Sequence, residues 1–494
     1  MHEDRERRAE TVDRQIGPFN MPRSTNRLFI TMLSPVSHTI DETVEEEPYK
    51  RFFHCCKPHT FTVSYAPYVV LPYPVALATI RPDLFIAYYG SDQSEGNMAT
   101  IIDYVAQETR DFSEYPFHVA DALVYAILSY DKIPQEVPQL SSLLECFGSI
   151  SSKLRNFNLK HPSRSLAALW RTPFPGPTLR EVEERLHEYE LTHPYWEHHS
   201  GFSDDDETPH RFYRSIKRNP RFAVTRMSAA EERFDISQQT QYAAETFQLP
   251  DGTLLVAFRG TDDSLTGWRE DFNMAFTYRC PRKSRPPTIS KGGQTLAEAR
   301  IMLTGHSKGG NIAIYAAMNA RDQIKDRIER IYAFDSPGFN QDVVSSYEYG
   351  TIVDRITKLV PEFSIIGMLL QSSPREHMIV VKSNADGLMQ HSCYTWLMDG
   401  DRFDTVPALS ESSRDFRGAL NTWLNGMTQR QREHGVEALF RVLSSGGHST
   451  ITQLRTDGMK ALPGLFSSYV GLDSEDRHYI NQAIMLLAGT RFTH

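Results

Sequence analysis

Gly305-His306-Ser307-Lys308-Gly309, continued by Gly310-Asn311, is a G-x-S-x-G run. A serine held between a strand end and a helix start must take a strained backbone, and the glycines two residues away on either side let the flanking elements close up. The helix that starts behind such a serine offers N–H groups and a positive end to a developing oxyanion. The pentapeptide alone is a weak signal, but its setting strengthens it. Ile301-Met302-Leu303 ahead of it reads as a strand, and Ile312, Ile314, Tyr315, Ala316 and Ala317 behind it read as a helix. Strand–G-x-S-x-G–helix is the setting a nucleophile elbow demands. Ser307 is therefore the candidate nucleophile; the plain alternative is a glycine-rich turn with an incidental serine.

A nucleophilic serine needs a base, and the base needs an orienting acid. In this arrangement the chain order is Ser, then Asp or Glu, then His. The downstream histidines are His377, His391, His434, His448, His478 and His494. His391 follows the strand-like Ile379–Lys382, where a loop would carry it back over the sheet, and is the candidate base. His377 precedes that strand, at the wrong end, and the others fall in a helical tail. Asp335 closes the apolar IYAF and opens SPGF, at a strand C-terminus where functional groups of open α/β sheets gather. It is the preferred acid, ahead of Glu362 after ITKLV and Asp386 in the loop of His391; the plain alternative is an Asp that caps the turn. An oxyanion needs two N–H donors. The backbone of Lys308 is one, and Thr261, in the loop after TLLVAF, is the candidate for the other. The Lys308 charge could favour anionic substrates or lower the pKa of His391; the simpler expectation is a solvated side chain on an exposed elbow.

The elements that must position these residues start near Arg221. RFAVTRM, QYAAETFQL and TLLVAFRG read as strands, the last two joined by the turn Pro250-Asp251-Gly252. Ile301–Thr304, Ile331–Phe334 and Ile379–Lys382 are further strands, with a helix from Gly310 to about Asn319. Alternating strands and helices predict an α/β fold, a mainly parallel sheet covered on both faces. Beyond residue 405 the pattern is helical, predicting a C-terminal helical subdomain over 406–494. Residues 98–405 are read as the hydrolase core. Within it 139–210 is polar and irregular, a surface insertion with one or two short helices such as Thr178–Leu191. Its histidines, His187, His193, His198, His199 and His210, fit no metal-ligand spacing, so no metal or cofactor is expected. Residues 1–97 show no sustained period and are expected to be poorly ordered, either an accessory region or sequence ahead of a true start at Met98.

The net charge of the 494-residue chain is -9, with 40% apolar and 23% charged residues. That argues against a nucleic-acid binder. Five cysteines at irregular spacing suggest neither a disulfide framework nor a zinc site. The densely charged N-terminus is unlike a signal peptide, and Tyr68–Ile80 is too short and proline-broken to span a bilayer. The expectation is a cytoplasmic protein with no transmembrane segment.

With these residues in view, the chain resembles a set of uncharacterised bacterial proteins distantly related to the class 3 lipases. The resemblance covers roughly 98–494. It is carried by VAFRGTDDSLTGWREDFNMAF, GHSKGGNIAIYAAM, YAFDSPGF, VPEFSIIGMLL and QHSCYTWLMDGDRF. It implies an α/β-hydrolase fold, with Ser307, Asp335 and His391 at the triad positions and Thr261 as the oxyanion threonine. It names no substrate. Two departures stand out. Class 3 lipases carry their acid in a D-x-V-P-like segment, whose equivalent near Ser364-Ile365-Ile366 has no Asp. Residues 279–295 are basic and hold three prolines where an amphipathic covering helix is expected. The reading is acyl transfer to Ser307 from a small-molecule or lipid acyl ester. A thioesterase, acyltransferase or peptidase, or a catalytically silent binding fold, could use the same frame.

Overall fold

The computed structural model describes most of residues 99–489. Outside the described residues lie 1–98, 185–206, 262–264, 270–298 and 490–494, short stretches at 171–172, 236–239, 449–452 and 454–456, and a few single positions. The expectations for 1–97, for four of the insertion histidines and for the basic run 279–295 therefore fall outside them.

Two short helices open the described chain. Thr100 caps α1 (Ile101–Gln107) and His118 caps α2 (Val119–Leu128), and the backbone N–H of each cap donates to an Asp three residues on. Every residue of α2 from Ala120 to Leu128 is buried, because it lies flat on the sheet. Two polar ties hold it there. Arg221, fully buried, forms a two-pronged bond to Asp121 at 2.7 and 2.6 Å and reaches the carbonyls of Arg110 and Tyr115. Thr304 Oγ1 donates to the Ala122 carbonyl at 2.8 Å. Removing one partner of such a buried pair costs about 3–5 kcal/mol.

The stretch after residue 139 is more helical than its sequence suggests: α3 (Leu140–Phe147), α4 (Ile150–Arg155) and α5 (Pro162–Trp170) precede α6 (Glu207–Arg218). The strand expected at RFAVTRM is corrected. Asn219 caps a helical turn, Pro220–Ala223, with proline at its start, so β1 begins only at Arg226. Proline fixes a helical φ and its missing N–H is not needed in a first turn.

Eight of the described strands build one sheet, in sequence order, and Met398–Asp399 with Arg402–Phe403 form a separate short antiparallel pair; the eight are β1 (Arg226–Asp235), β2 (Thr240–Gln248), β3 (Leu254–Phe258), β4 (Ile301–His306), β5 (Ile328–Phe334), β6 (Ile356–Pro361), β7 (His377–Val381) and β8 (Thr405–Val406). The five central strands, β3 to β7, run parallel; β1, β2 and β8 are antiparallel at the edges. Because β3 and β4 are buried at every position, both faces must be covered. One face packs under α1, α2 and α6. The other packs under α7 (Lys308–Met318) and the segment around Ile324–Ile356. The molecule has the α/β-hydrolase architecture: a largely parallel sheet, sandwiched by helices, with loops at the strand C-termini. After β8 come α8 (Glu411–Asn425), α9 (Gln429–Leu443), α10 (Leu462–Gly471) and α11 (Ser474–Gly489). Met427, Val436, Phe440 and Tyr479 from this tail pack against Leu265, Ile366 and Leu369, which places the tail against the segment that follows β6.

Candidate active site

Ser307 stands between β4 and α7 with φ 56° and ψ −132°, a conformation that costs a non-glycine residue roughly 1–3 kcal/mol. The flanking contacts hold it there. The Ser307 N–H continues the ladder to the Phe334 carbonyl at 2.8 Å. A side chain on Gly309 would fall on the Phe258 carbonyl, and one on Gly260 on the His306 carbonyl, both inside 3.0 Å. The glycines thus let the end of β3 and the start of α7 meet, and they bring the Gly260-Thr261 turn against the elbow. The serine side chain makes no capping bond to its own helix, so the hydroxyl is not engaged in holding α7.

Asp335 follows β5, next in the sheet, and also has a positive φ, 39°. It is completely buried. Its Oδ2 accepts from His391 Nδ1 at 2.6 Å, while Oδ1 accepts from Ser364 Oγ at 2.5 Å and from the Gly367 N–H at 3.1 Å. Its own N–H donates to the Leu359 carbonyl. The segment noted for lacking an Asp, 364–367, thus supplies the donors that hold Asp335 instead. Glu362 is half-buried and Asp386 exposed; neither is bonded to His391 in this geometry.

His391 ends a short 3-10 turn, Gly387–His391, after β7, and is buried. With its Nδ1–H given to the carboxylate, the basic nitrogen is Nε2, the tautomer a general base requires. His377 is exposed at the start of β7, His434 and His478 are exposed on the tail helices, and His448 bonds Asp457 at 2.8 Å; His494 lies outside the described residues.

Two residues that the sequence did not single out support this ring. His306 lies 4.5 Å from it, centroid to centroid, tilted by 34°. His306 Nε2 faces the His391 carbonyl at 2.9 Å. A carbonyl only accepts, so this nitrogen carries the hydrogen and Nδ1 accepts from the Tyr130 hydroxyl at 3.0 Å. Burial, reinforced by the neighbouring His391, holds the His306 pKa well below the usual histidine range, so the ring stays neutral. Tyr130 comes two residues after α2, so the helix pinned by Asp121–Arg221 delivers it. Its 176-residue separation from His306 leaves no local signal in the sequence, although His306 itself sits inside the G-x-S-x-G run.

Thr261 is buried, and so is Lys308, at 1% exposure. The expectation of a solvated lysine on an exposed elbow is corrected: α7 starts inside the crevice at the strand ends, and its first residue lies within the packed interior. A second buried lysine, Lys358 on β6, donates to Ser372 Oγ at 2.8 Å. Burial lowers its pKa, while the charges of Glu376 and Asp335 act to raise it. Cys393, two residues beyond His391, is a free thiol whose pKa burial and the Asp335 charge push up well above the ordinary value, which makes it a poor rival nucleophile. Among the described residues no cluster of His, Cys, Asp and Glu could hold a metal ion.

The sheet and elbow define the class of fold. A family model described as Mbeg1-like matches residues 216–441, from the end of α6 to α9, a stretch that includes Ser307, Asp335 and His391. The chain is similar to two solved structures. One is the M37 lipase, at 14% identity and a TM-score of 0.28, covering 51% of this chain and 70% of that one. The other is the lipase from Rhizopus microsporus var. chinensis, at 16% identity and a TM-score of 0.22, covering 36% and 67%. No curated protein matches the chain.

Proposed function

We propose that this protein is a serine hydrolase that cleaves a carboxylic ester or a closely related acyl bond. The observation that carries the reading is the 2.6 Å bond between Asp335 and His391, in a chain whose Ser307 takes the strained backbone of a strand-to-helix elbow. In this mechanism the Ser307 hydroxyl adds to the acyl carbon while His391 Nε2 takes its proton. Backbone N–H groups of Lys308 and Thr261 receive the charge that develops on the carbonyl oxygen. The imidazolium passes its proton to the departing alkoxide, leaving an acyl-Ser307. A water then gives its proton to His391, attacks the acyl carbon and releases the acid, and the proton returns to Ser307. Asp335 holds the ring in its tautomer throughout and does not take the proton. Ser307, Asp335 and His391 all lie below 5% exposure, a setting in which fixed dipoles act strongly.

The elbow serine and the buried Asp335–His391 pair support a lipid or small acyl ester as substrate. The helices after β8 support reading 406–494 as a helical subdomain on a core of 98–405, with 139–210 inserted. The test is rapid mixing with p-nitrophenyl butyrate. An acyl-enzyme mechanism gives a burst of nitrophenol close to one equivalent per chain, followed by slower turnover, and neither phase in Ser307→Ala. Hydrolysis that survives Ser307→Ala would overturn the assignment.

A further inference from the structure

The hairpin α4–α5 lies in a basic stretch free of acids, a character it shares with residues 279–295. Between Glu145 and Glu181 there are six Lys and Arg residues and no Asp or Glu, in a protein of net charge -9. It is also nearly unburied: no residue of α4 or α5 is buried. The anchor is α3, whose Leu140 and Leu143 pack beneath Ala229 of β1. The hairpin nonetheless has an internal structure. Ser149 caps α4, Lys153 Nζ donates to the Leu169 carbonyl at 3.4 Å, and the Asn158 N–H donates to Ser165 Oγ at 2.9 Å. Ser165, Ala168 and Leu169 are half-buried on its inner side, and most of its large apolar side chains face away from the fold.

What it shows outward is specific. Ile150 is 74% exposed, Leu159 84% and Trp170 88%, with Leu154 and Leu166 also more than half exposed. Ile150 and Leu154 are spaced i, i+4 on α4, and Leu166 and Trp170 are spaced i, i+4 on α5, so each helix carries one apolar stripe. Cations are interleaved with them: Lys153 and Arg155 flank Leu154, Lys160 follows Leu159, and Arg164 precedes Leu166. A flat aqueous surface has no use for such side chains. The boundary of an anionic bilayer takes both kinds: apolar side chains and a tryptophan enter the headgroup–acyl boundary, while lysine and arginine meet the phosphates. The absence of any acidic residue removes the repulsion that the rest of this acidic chain would bring.

We propose that the α4–α5 hairpin docks this protein onto an anionic lipid surface. Docking is a property of the hairpin and does not depend on the triad, so it survives loss of the nucleophile. The experiment is co-sedimentation of the full chain with phosphatidylcholine vesicles, with and without about 30 mol% phosphatidylserine, at about 0.15 M salt. The full chain and Ser307→Ala are expected to bind the anionic vesicles alike and the neutral ones at least about tenfold more weakly. Leu159→Ser/Trp170→Ser and Lys160→Glu/Arg164→Glu are each expected to lose at least about tenfold in binding to the anionic vesicles. Their circular dichroism should stay unchanged, since all four side chains are exposed. Equal binding by the variants, or no binding of the parent chain to anionic vesicles, overturns the proposal. So does a parent chain that is oligomeric by light scattering and becomes monomeric in the Leu159→Ser/Trp170→Ser variant, because the hairpin would then be a contact between copies of the chain.

Discussion

Asp335 and Glu245 are two carboxyls with no exposure in one sheet, and they are opposites. Asp335, beyond the end of β5, accepts three hydrogen bonds, from His391, Ser364 and Gly367. Glu245, on β2 opposite Ala257 of β3, has neither oxygen hydrogen-bonded. Burial pushes its pKa up to about 8, with Arg259 pulling the other way and Asp131 and Glu232 adding to the rise. Glu245 is therefore mostly a neutral acid at pH 7. The difference shows that burial by itself silences a carboxyl, whereas a shell of converging donors makes one into a fixed acceptor that can orient a histidine.

The largest effect should come from breaking the furnished carboxyl. Asp335→Asn replaces the acceptor that fixes the His391 tautomer, and kcat/KM for an acyl ester is expected to fall about 10³–10⁴-fold. Next is the orphan. Its folded pKa of about 8 lies above the ordinary 4.5, so the neutral form is the one the fold favours. That contribution is fully present below about pH 4.5 and is lost as pH rises through about 8, at about 1.4 kcal/mol per unit between them. Glu245→Gln, which is neutral at every pH, should be more stable than the parent by about 3 kcal/mol near pH 7 in urea titration, with the gap closing below pH 5. A gap that does not vary with pH would show that Glu245 is paired in solution. The smallest effect comes from thinning the shell: Ser364→Ala removes one of three donors and should lower kcat/KM about 10-fold, the scale of a hydrogen bond to a charged group, with little change in KM. A drop as large as that of Asp335→Asn would make Ser364 indispensable to the acid and not one of several supports.

Much of this arrangement is legible in the sequence because it is written in local chemistry. Gly305–Gly309 states its own geometry, the apolar runs at Leu254, Ile301 and Ile331 mark parallel strands, and the order Ser307, Asp335, His391 follows from the strands that precede each. The supporting shell is not legible in that way. Ser364 and Gly367 meet Asp335 only because β5 and β6 are neighbours, and Tyr130 meets His306 only because α2 crosses β4. The helical turn at Pro220 did carry a signal, Asn219-Pro220, that the apolar alternation of RFAVTRM obscured. The burial of Lys308 depends on how α7 enters the crevice, which no local pattern encodes.

Activation of Ser307 by His391 and Asp335 is best probed by covalent labelling with a fluorophosphonate. One label per folded chain is expected, located on Ser307 by peptide mass spectrometry, and none on Ser307→Ala or His391→Gln, with all three showing the same circular dichroism. A folded parent chain that takes no label, or takes it elsewhere, would show that Ser307 is not the activated nucleophile.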